Sequence, residues 1–263
     1  MTGHVGVVTD SACDLPDDIV SRLGIQIVPL SIRFGDDEFV DREELSTAEF
    51  WARCKASPTL PSTAAPSPGR FEQAYRQLAD DGARHIVVIT LSGALSATLQ
   101  SAELAAKSVA AEGIEVTAVD SRTVSLGTGT IALACAQLAA TLPADAESLA
   151  TIVSTATELV GRTRVFGALD TMDNLKKGGR VGNAKALRFL VDKVAAASQA
   201  MEHLAVLHAD CDDVDEFVAQ LRPYYPGEIV VGQIGPVVGA HAGLGTIGVA
   251  YQETTAQIHP SPS

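Results

Sequence analysis

Residues 85–98 read HIVVITLSGALSAT, an apolar run followed at once by a turn rich in hydroxyl groups. The run His85–Leu91 predicts a buried strand, and the residues after Ser96 predict a helix. Ligands of open α/β sheets bind at such strand-to-helix junctions, because the free amides and the dipole of a helix N-terminus attract anions. The stretch therefore favours an α/β fold that presents binding groups at this junction.

Strand and helix patterns alternate through the N-terminal part of the chain. This alternation implies βαβ units, and therefore a mostly parallel sheet with flanking helices. Asp14 is a good N-cap for the first helix, and four prolines between residues 58 and 68 predict an extended loop without regular structure. We predict strands at Val5–Thr9, Ile25–Ile32, His85–Leu91 and Val116–Val119, and helices at Pro16–Leu23, Phe71–Asp80, Ser96–Ala111 and Glu147–Gly161.

A second unit is predicted to begin with a strand at Val165–Leu169. We therefore expect two α/β domains, an N-terminal one at residues 1–160 and a C-terminal one at residues 161–263. The further elements predicted in the second unit are helices near Thr171–Lys177 and Ala184–Leu204, and strands near Leu204–His208, Ile229–Ile234 and Thr246–Tyr251.

The composition is that of a soluble globular protein, with 46% hydrophobic and 19% charged residues among 263. The net charge of −13 disfavours binding to nucleic acid or anionic lipid, since both require patches of Lys and Arg. No apolar run reaches the length of a membrane span, and residues 1–10 lack the features of a secretion signal. We expect a cytoplasmic protein with no nucleic acid partner and no stable membrane insertion.

The cysteines Cys13, Cys54, Cys135 and Cys211 are scattered, with no CxxC spacing and no paired histidine. They are expected to be free thiols, and no metal site is predicted. The phosphate-binding pattern GxxxxGK[ST] is absent, and Gly127–Gly129 lacks the full GxGxxG pattern. The sequence therefore indicates no cofactor.

Candidate binding groups lie in three short motifs, at residues 62–68, 91–98 and 240–245. Hydroxyl groups and one imidazole, without a cluster of positive charges, suit a single carboxylate better than a polyphosphate. A competing interpretation is that a hydroxyl near Ser96 only caps the helix, and that His241 is hydrogen-bonded within a tight turn. The Asp10-Ser11 pair is interpreted as an organiser of turn hydrogen bonds rather than a catalytic group.

Two other classes of function remain open on the residues alone. The first is a hydrolase or transferase that acts on a small carboxylate with His241 as its base. The absence of a GxSxG nucleophile motif counts against it. The second is a structural or regulatory protein with an empty apolar cleft.

Taken together and in order, the motifs resemble those of the DegV family, which includes the bacterial fatty-acid-binding subunits of fatty acid kinase (FakB proteins). The resemblance covers nearly the whole chain. The segments that carry it are Val8–Ser11, Ile27–Leu30, Thr63–Pro68, Leu91–Thr98, Val119–Ser121, Leu175–Arg180 and Ala240–Gly245.

The resemblance implies a two-domain α/β protein that holds one long-chain fatty acid, such as palmitate, in an apolar tunnel between its domains. It places Thr63 and Ser96 at the carboxylate and His241 close by. The neighbouring Ala64, Ser92 and Gly93 complete the expected ligand-binding residues. The family partner is a separate ATP-dependent kinase subunit that converts the bound carboxylate to an acyl phosphate. This chain would then be a bacterial carrier that performs no chemistry itself.

Three departures from the family pattern stand out. Ala64 and Ala65 replace a Ser-Gln pair, and Ala97 replaces a glycine. The resemblance also implies some tens of residues, with a basic segment associated with kinase docking, where Lys185 runs directly into Ala186. We interpret this as an internal segment that is either deleted or disordered and outside the 263 residues. An intact mass of 27.3 kDa would exclude the second. Without the segment, lipid binding can persist while kinase docking is lost.

Overall fold

A computed structural model describes residues 4–56, 61–168 and 184–254 of the chain. Its strands are β1 (Gly6–Asp10), β2 (Gln26–Val28), β3 (Ser31–Phe34), β4 (Asp37–Val40), β5 (Ser62–Ala64), β6 (His85–Thr90), β7 (Glu115–Asp120), β8 (Thr163–Ala168), β9 (Met201–His208), β10 (Val230–Gln233) and β11 (Ile247–Glu253). Its helices are α1 (Asp17–Leu23), α2 (Thr47–Ala56), α3 (Pro68–Asp80), α4 (Thr98–Val109), α5 (Leu126–Ala139), α6 (Ala146–Arg162), α7 (Ala184–Ala197), α8 (Val214–Leu221) and α9 (Pro236–Ala242).

The N-terminal unit is built on a four-stranded parallel sheet with the order β2-β1-β6-β7. Its central strands are apolar because both faces are covered, by α3 and α4 on one side and by α5 and α6 on the other. Parallel pairing brings the carboxyl ends of β1, β6 and β7 to the same edge. The turn that follows β6 therefore lies beside the turn that follows β1.

The second unit contains a mixed sheet with the order β10-β9-β11-β8, in which β11 runs antiparallel to both of its neighbours. A small antiparallel sheet, β4-β3-β5, accompanies the first unit. The predicted α/β fold, with its parallel sheet and flanking helices, is confirmed. Helix α6 runs to Arg162, so the expected boundary after residue 160 falls in its last turn.

Helix α5 lies between the two large sheets, in contact with β1 and β6 on one side and with β8, β9 and β11 on the other. Of its 14 residues, 11 are buried, which is typical of a helix that is apolar on every face. A Cβ atom at Gly129 would lie 2.5 Å from the backbone oxygen of Cys13. Glycine at this position therefore lets the helix touch the segment after β1.

Some predicted elements differ from those observed. The predicted strand Ile25–Ile32 is divided into β2 and β3, because Pro29 has no N–H group to continue a ladder. The proline-rich stretch was expected to be irregular, yet it contains β5, which pairs with β3 between Pro61 and Pro66. Residues 57–60 of that stretch lie outside the described residues.

In the second unit, the helix predicted to reach Leu204 ends at Ala197, and β9 begins at Met201. Pairing of Met201 and Glu202 with β11 prevails over local helix propensity there. Helix α8 was not predicted, and α9 overlaps the motif at residues 240–245, for which a tight turn around His241 was one of two interpretations. The helix predicted at Thr171–Lys177 and the motif Leu175–Arg180 lie outside the described residues. None of the helices in the described part of the chain combines the length and apolar character needed to cross a bilayer.

The contact between α5 and the Cys13 backbone can be tested by replacing Gly129 with Ala. Because the added methyl group would meet backbone rather than a flexible side chain, we expect the free energy of unfolding to fall by about 1–3 kcal/mol. Gly161→Ala in α6 is the matched control, since no described atom outside its own stretch of helix lies within 4 Å of the added group. Chemical denaturation measures both variants. Equal stabilities of the two variants would contradict the proposed packing.

Candidate functional site

A cavity of about 730 Å³ lies between the two units. Its volume falls in the range of small-molecule binding sites. Both units contribute to its mostly apolar lining, with residues from β5, from the turn after β6, from β8 and from α9. The lining residues are Leu30, Thr63, Ala65, Leu91, Leu95, Ser96, Ala97, Val124, Ser125, Val165, Gly167, Leu207, Ile234, Val237, Val238, His241, Ala242 and Thr246.

Three predicted site residues, Thr63, Ser96 and His241, line this cavity together. The Thr63 hydroxyl oxygen is 3.3 Å from Nε2 of His241, although 178 positions separate the two residues in the sequence. The Ser96 hydroxyl is 2.8 Å from the Thr98 hydroxyl and also accepts the Thr98 backbone N–H. Ser96 therefore supports the first turn of α4 and contacts the cavity.

The position of Thr63 follows from the pairing of β5 with β3. Thr63 lies opposite Ile32, which is fully buried, so the two side chains share the inward face of this small sheet. The adjacent Ser62 and Ala64 are exposed on the outward face. Ala64, expected at the ligand, is therefore not a lining residue, and Ala65 contacts the cavity in its place.

Ser92 and Gly93, also expected at the ligand, form the turn rather than the cavity wall. The Ser92 N–H donates to the Thr123 carbonyl, and the Ser92 carbonyl accepts the N–H groups of Leu95 and Ser96. The Gly93 N–H donates to the Asp120 carboxylate at 3.0 Å. Neither residue is among those lining the cavity.

His241 lies in the last turn of α9, and aromatic residues of α2 fix this helix in place. The Trp51 indole N–H donates to the Ile234 carbonyl just before the helix, at 3.1 Å. The rings of Phe50 and Trp51 lie so close to Gly239 that a Cβ atom there would be within 2.8 Å of both. The signal for this helix in the sequence was Pro236 at its first position, which the surrounding glycines obscured.

Asp10 organises the turn after β6, as the sequence indicated. Its carboxylate accepts the Leu91 N–H at 2.7 Å and the Ala12 N–H at 3.0 Å. Complete burial raises the pKa of Asp10 to about 7, against the lowering effect of these two bonds. Asp10 therefore fixes the backbone from which Leu91 and Ser96 reach the cavity.

Asp14 and Ser125 are a buried pair that the sequence analysis missed. Asp14, interpreted as a helix cap, instead accepts the Ser125 hydroxyl at 2.5 Å and the Gly235 N–H at 2.9 Å. Burial raises the pKa of Asp14 to about 7. Ser125 adopts φ 53° and ψ −140°, a conformation that costs a residue other than glycine about 1–3 kcal/mol. Its backbone strain is not visible in a sequence.

Among the described residues, no group of three His, Cys, Asp or Glu side chains is arranged to hold a metal ion. Burial raises the pKa of Cys13 and Cys135 to about 12, which makes these thiols poor nucleophiles. The groups that meet in the cavity can donate hydrogen bonds to an acid, and the apolar walls can cover a hydrocarbon chain. The cavity of this α/β protein therefore has the properties needed to enclose an amphipathic small molecule.

The DegV family model matches the chain over residues 4–194 and over residues 182–254. A DegV domain-containing protein of Deinococcus radiodurans is 32% identical over 289 residues, covering 96% of this chain and 99% of the relative. A DegV domain-containing protein of Listeria innocua is 28% identical over 286 residues, covering 95% of this chain and 99% of the relative. The chain belongs to the DegV family.

Solved structures agree with this assignment. A DegV family protein from Thermus thermophilus, whose structure concerns fatty acid binding, has a TM-score of 0.77 and 26% identity, covering 95% of this chain and 99% of that chain. A DegV lipid-binding protein from Thermotoga maritima has a TM-score of 0.80 and 25% identity, covering 95% and 98%. Fatty acid binding is therefore a property of solved members of this family.

The raised pKa of Asp10 predicts how stability changes with pH. The folded protein holds this proton up to about pH 7, whereas an unfolded Asp releases it near pH 4. The free energy of unfolding therefore falls between these values, by about 1.4 kcal/mol for each unit by which the pKa is raised. Asp10→Asn cannot titrate, so the stability advantage of the native protein over this variant should shrink between about pH 4 and about pH 7.

Denaturation at several pH values measures this difference directly. Each comparison uses the native protein and Asp10→Asn in the same buffer, so the titration of groups that do not interact with Asp10 cancels. A difference that stays constant with pH, or grows as pH rises, would contradict the buried protonated state of Asp10.

Proposed function

We propose that this protein binds one long-chain fatty acid, such as palmitate, in the cavity between its two units. The carboxylate lies at Thr63, Ser96 and His241, and the acyl chain lies along the apolar wall. The observation that carries the proposal is the meeting of these three polar side chains in one mostly apolar cavity. Its volume of about 730 Å³ leaves room for a long acyl chain.

The energetics fit a ligand with a long tail and a small head. Burial of the roughly fifteen tail carbons of palmitate contributes about 12 kcal/mol, at about 0.8 kcal/mol each. The costs of association and of ordering the chain reduce this gain. Affinity then comes from the apolar lining, and the polar groups orient the acid.

The family supports this ligand class. The solved DegV structures from Thermus thermophilus and Thermotoga maritima concern fatty acid or lipid binding. They share the fold of this chain along nearly its whole length. We extend that ligand class to this protein because its own cavity carries the polar and apolar groups that the class requires.

We propose further that the protein is a non-enzymatic carrier in the cytoplasm of a bacterium, with no cofactor. It presents the bound carboxylate to a separate ATP-dependent kinase subunit, which forms the acyl phosphate. His241 is exposed at its end of α9, so a partner protein has access to the head-group end of the cavity. No nucleic acid takes part in this function.

The segment expected between Lys185 and Ala186 matters for the proposed kinase partner, because the family resemblance associates it with kinase docking. Helix α7 runs through this point without a break. The alignments span 286 and 289 positions but include only 95% and 96% of this chain, so the relatives carry residues without a counterpart here. We propose that the missing residues belong near 185–186, within the second domain at residues 161–263. Kinase docking in this protein would then be weakened or use another surface.

Native mass spectrometry of the purified protein, with identification of the released ligand after denaturation, tests the proposed function. The carrier predicts a bound C14–C18 fatty acid, or its uptake when added. A protein that neither carries nor takes up a fatty acid would refute this function. Turnover of a small carboxylate without a partner, with a pH profile that depends on His241, would favour the hydrolase or transferase instead.

Replacement of Ser96 by Ala tests the head-group site. Loss of a hydrogen bond to a charged carboxylate should weaken palmitate binding by about 1–3 kcal/mol. Isothermal titration with Ser62→Ala as the matched control measures the effect, since the Ser62 hydroxyl is exposed on the outward face of β5. Unchanged affinity in Ser96→Ala would remove this residue from the site.

A further inference from the structure

The segment Cys13–Asp14 packs between the two units, in close contact with both. Its Cys13 carbonyl oxygen would lie 2.5 Å from a Cβ atom at Gly129 of α5. Its Asp14 carbonyl oxygen would lie 2.5 Å from a Cβ atom at Gly232 of β10. These short distances to backbone oxygens exclude any residue with a Cβ atom at positions 129 and 232. The backbone of this segment is therefore fixed against elements of both units.

The Asp14 side chain extends this contact into hydrogen bonds. It is only 3% exposed, and its two carboxylate oxygens accept from different units, one from the Ser125 hydroxyl before α5 and one from the Gly235 N–H before α9. Ser125 itself lines the cavity, and Gly235 precedes helix α9, which carries His241 to it. One buried carboxylate thus ties two walls of the cavity together.

Ser125 holds a strained backbone without capping its own helix. Its φ of 53° is unfavourable for a side chain, and its hydroxyl makes no capping bond to α5. The hydroxyl donates to Asp14 instead. The surrounding packing and this bond maintain a conformation that glycine would adopt more easily.

Helix α9 connects Asp14 to the head-group site. It has seven residues, begins after Gly235, and carries His241 one residue before its end. A helix this short moves as one piece, so a change in the direction of its first turn displaces the histidine. Trp51 and Phe50 restrain its middle, and Asp14 restrains its start.

We infer that Asp14 is a positioning residue for the head-group site, which holds α9 so that His241 stays within hydrogen-bonding distance of Thr63. This inference rests on the proposed fatty-acid function. Asp14 does not touch the ligand, since it is not among the residues that line the cavity. Its effect should therefore concern recognition of the carboxylate rather than burial of the tail.

The test compares palmitate with 1-hexadecanol, which has a tail of the same length and no charge. In Asp14→Ala we expect the preference for palmitate over the alcohol to fall about tenfold, the scale of one lost hydrogen bond to a charged group. Hexadecanol affinity should change less than about threefold. Asp14→Asn should retain most of the preference, because its amide can accept from Gly235 and donate to the Ser125 oxygen.

The matched control is Asp41→Ala, which removes another carboxylate that is only 1% exposed. Asp41 is not the acceptor for Ser125 or Gly235, so the preference should be unchanged. Ser125→Gly is a second variant, which we expect to fold even if Asp14→Ala does not, because glycine relieves the strain at φ 53°. We expect its preference for palmitate to fall about threefold.

A palmitate preference that is retained in both Asp14→Ala and Ser125→Gly would overturn the inference. Equal losses for palmitate and hexadecanol would also overturn it, since they would indicate only a general loss of structure. If the native protein binds neither ligand, the proposed function itself has failed. The positioning role can then be tested without ligand, from the ¹⁵N chemical shifts of the His241 ring, which are assigned with His241→Gln. These shifts should differ between the native protein and Ser125→Gly. Identical shifts would refute the positioning role.

Discussion

Burial of α5 between the two large sheets is the constraint on which the fold and the cavity depend. An apolar helix covered on both faces joins the parallel sheet of the first unit to the mixed sheet of the second. Its glycines set how closely the neighbouring backbone approaches, most clearly where Gly129 meets Cys13. Since Val124 and Ser125, just before this helix, line the cavity, its shape depends on the same close packing.

In the proposed complex, different parts of the cavity provide affinity for the acyl chain and orientation of the carboxylate. Its walls are mostly aliphatic side chains, and the described lining residues include no Lys or Arg. Hydroxyl groups and one imidazole face the expected carboxylate instead. Such donors suit a single negative charge, whereas a phosphate would require more positive charge. The net charge of −13 on the whole chain points the same way, because a strongly acidic protein attracts polyanions poorly.

Two buried carboxylates hold the backbone segments that carry the polar residues of the cavity. Asp10 fixes the turn that carries Ser96, and Asp14 links the starts of α5 and α9. Both are charged only at the cost of desolvation, which raises the pKa of each to about 7. None of the described lining residues belongs to the loop after β1, so this loop supports the site without lining the cavity.

Elements that depend on local sequence patterns could be predicted from the sequence. The apolar run His85–Leu91 and the turn after it placed Ser96 at a strand-to-helix junction, and the structure has this arrangement. Apolar periodicity predicted α6 to within a residue at each end.

What the sequence missed depends on contacts between distant residues. The outward direction of Ala64 follows from pairing of β5 with β3. Helix α9 is maintained by Trp51, and the role of Asp14 requires Ser125 and Gly235, more than 100 positions away. No local pattern specifies such partners.

A crystal structure of the protein with bound palmitate tests the central claim most directly. We expect one ligand in the cavity, with its carboxylate within about 3 Å of the Ser96 hydroxyl and of Thr63 or His241. The acyl chain should extend along Leu91, Val165 and Val237. A carboxylate that points away from these polar groups, or a ligand bound outside the cavity, would contradict the account.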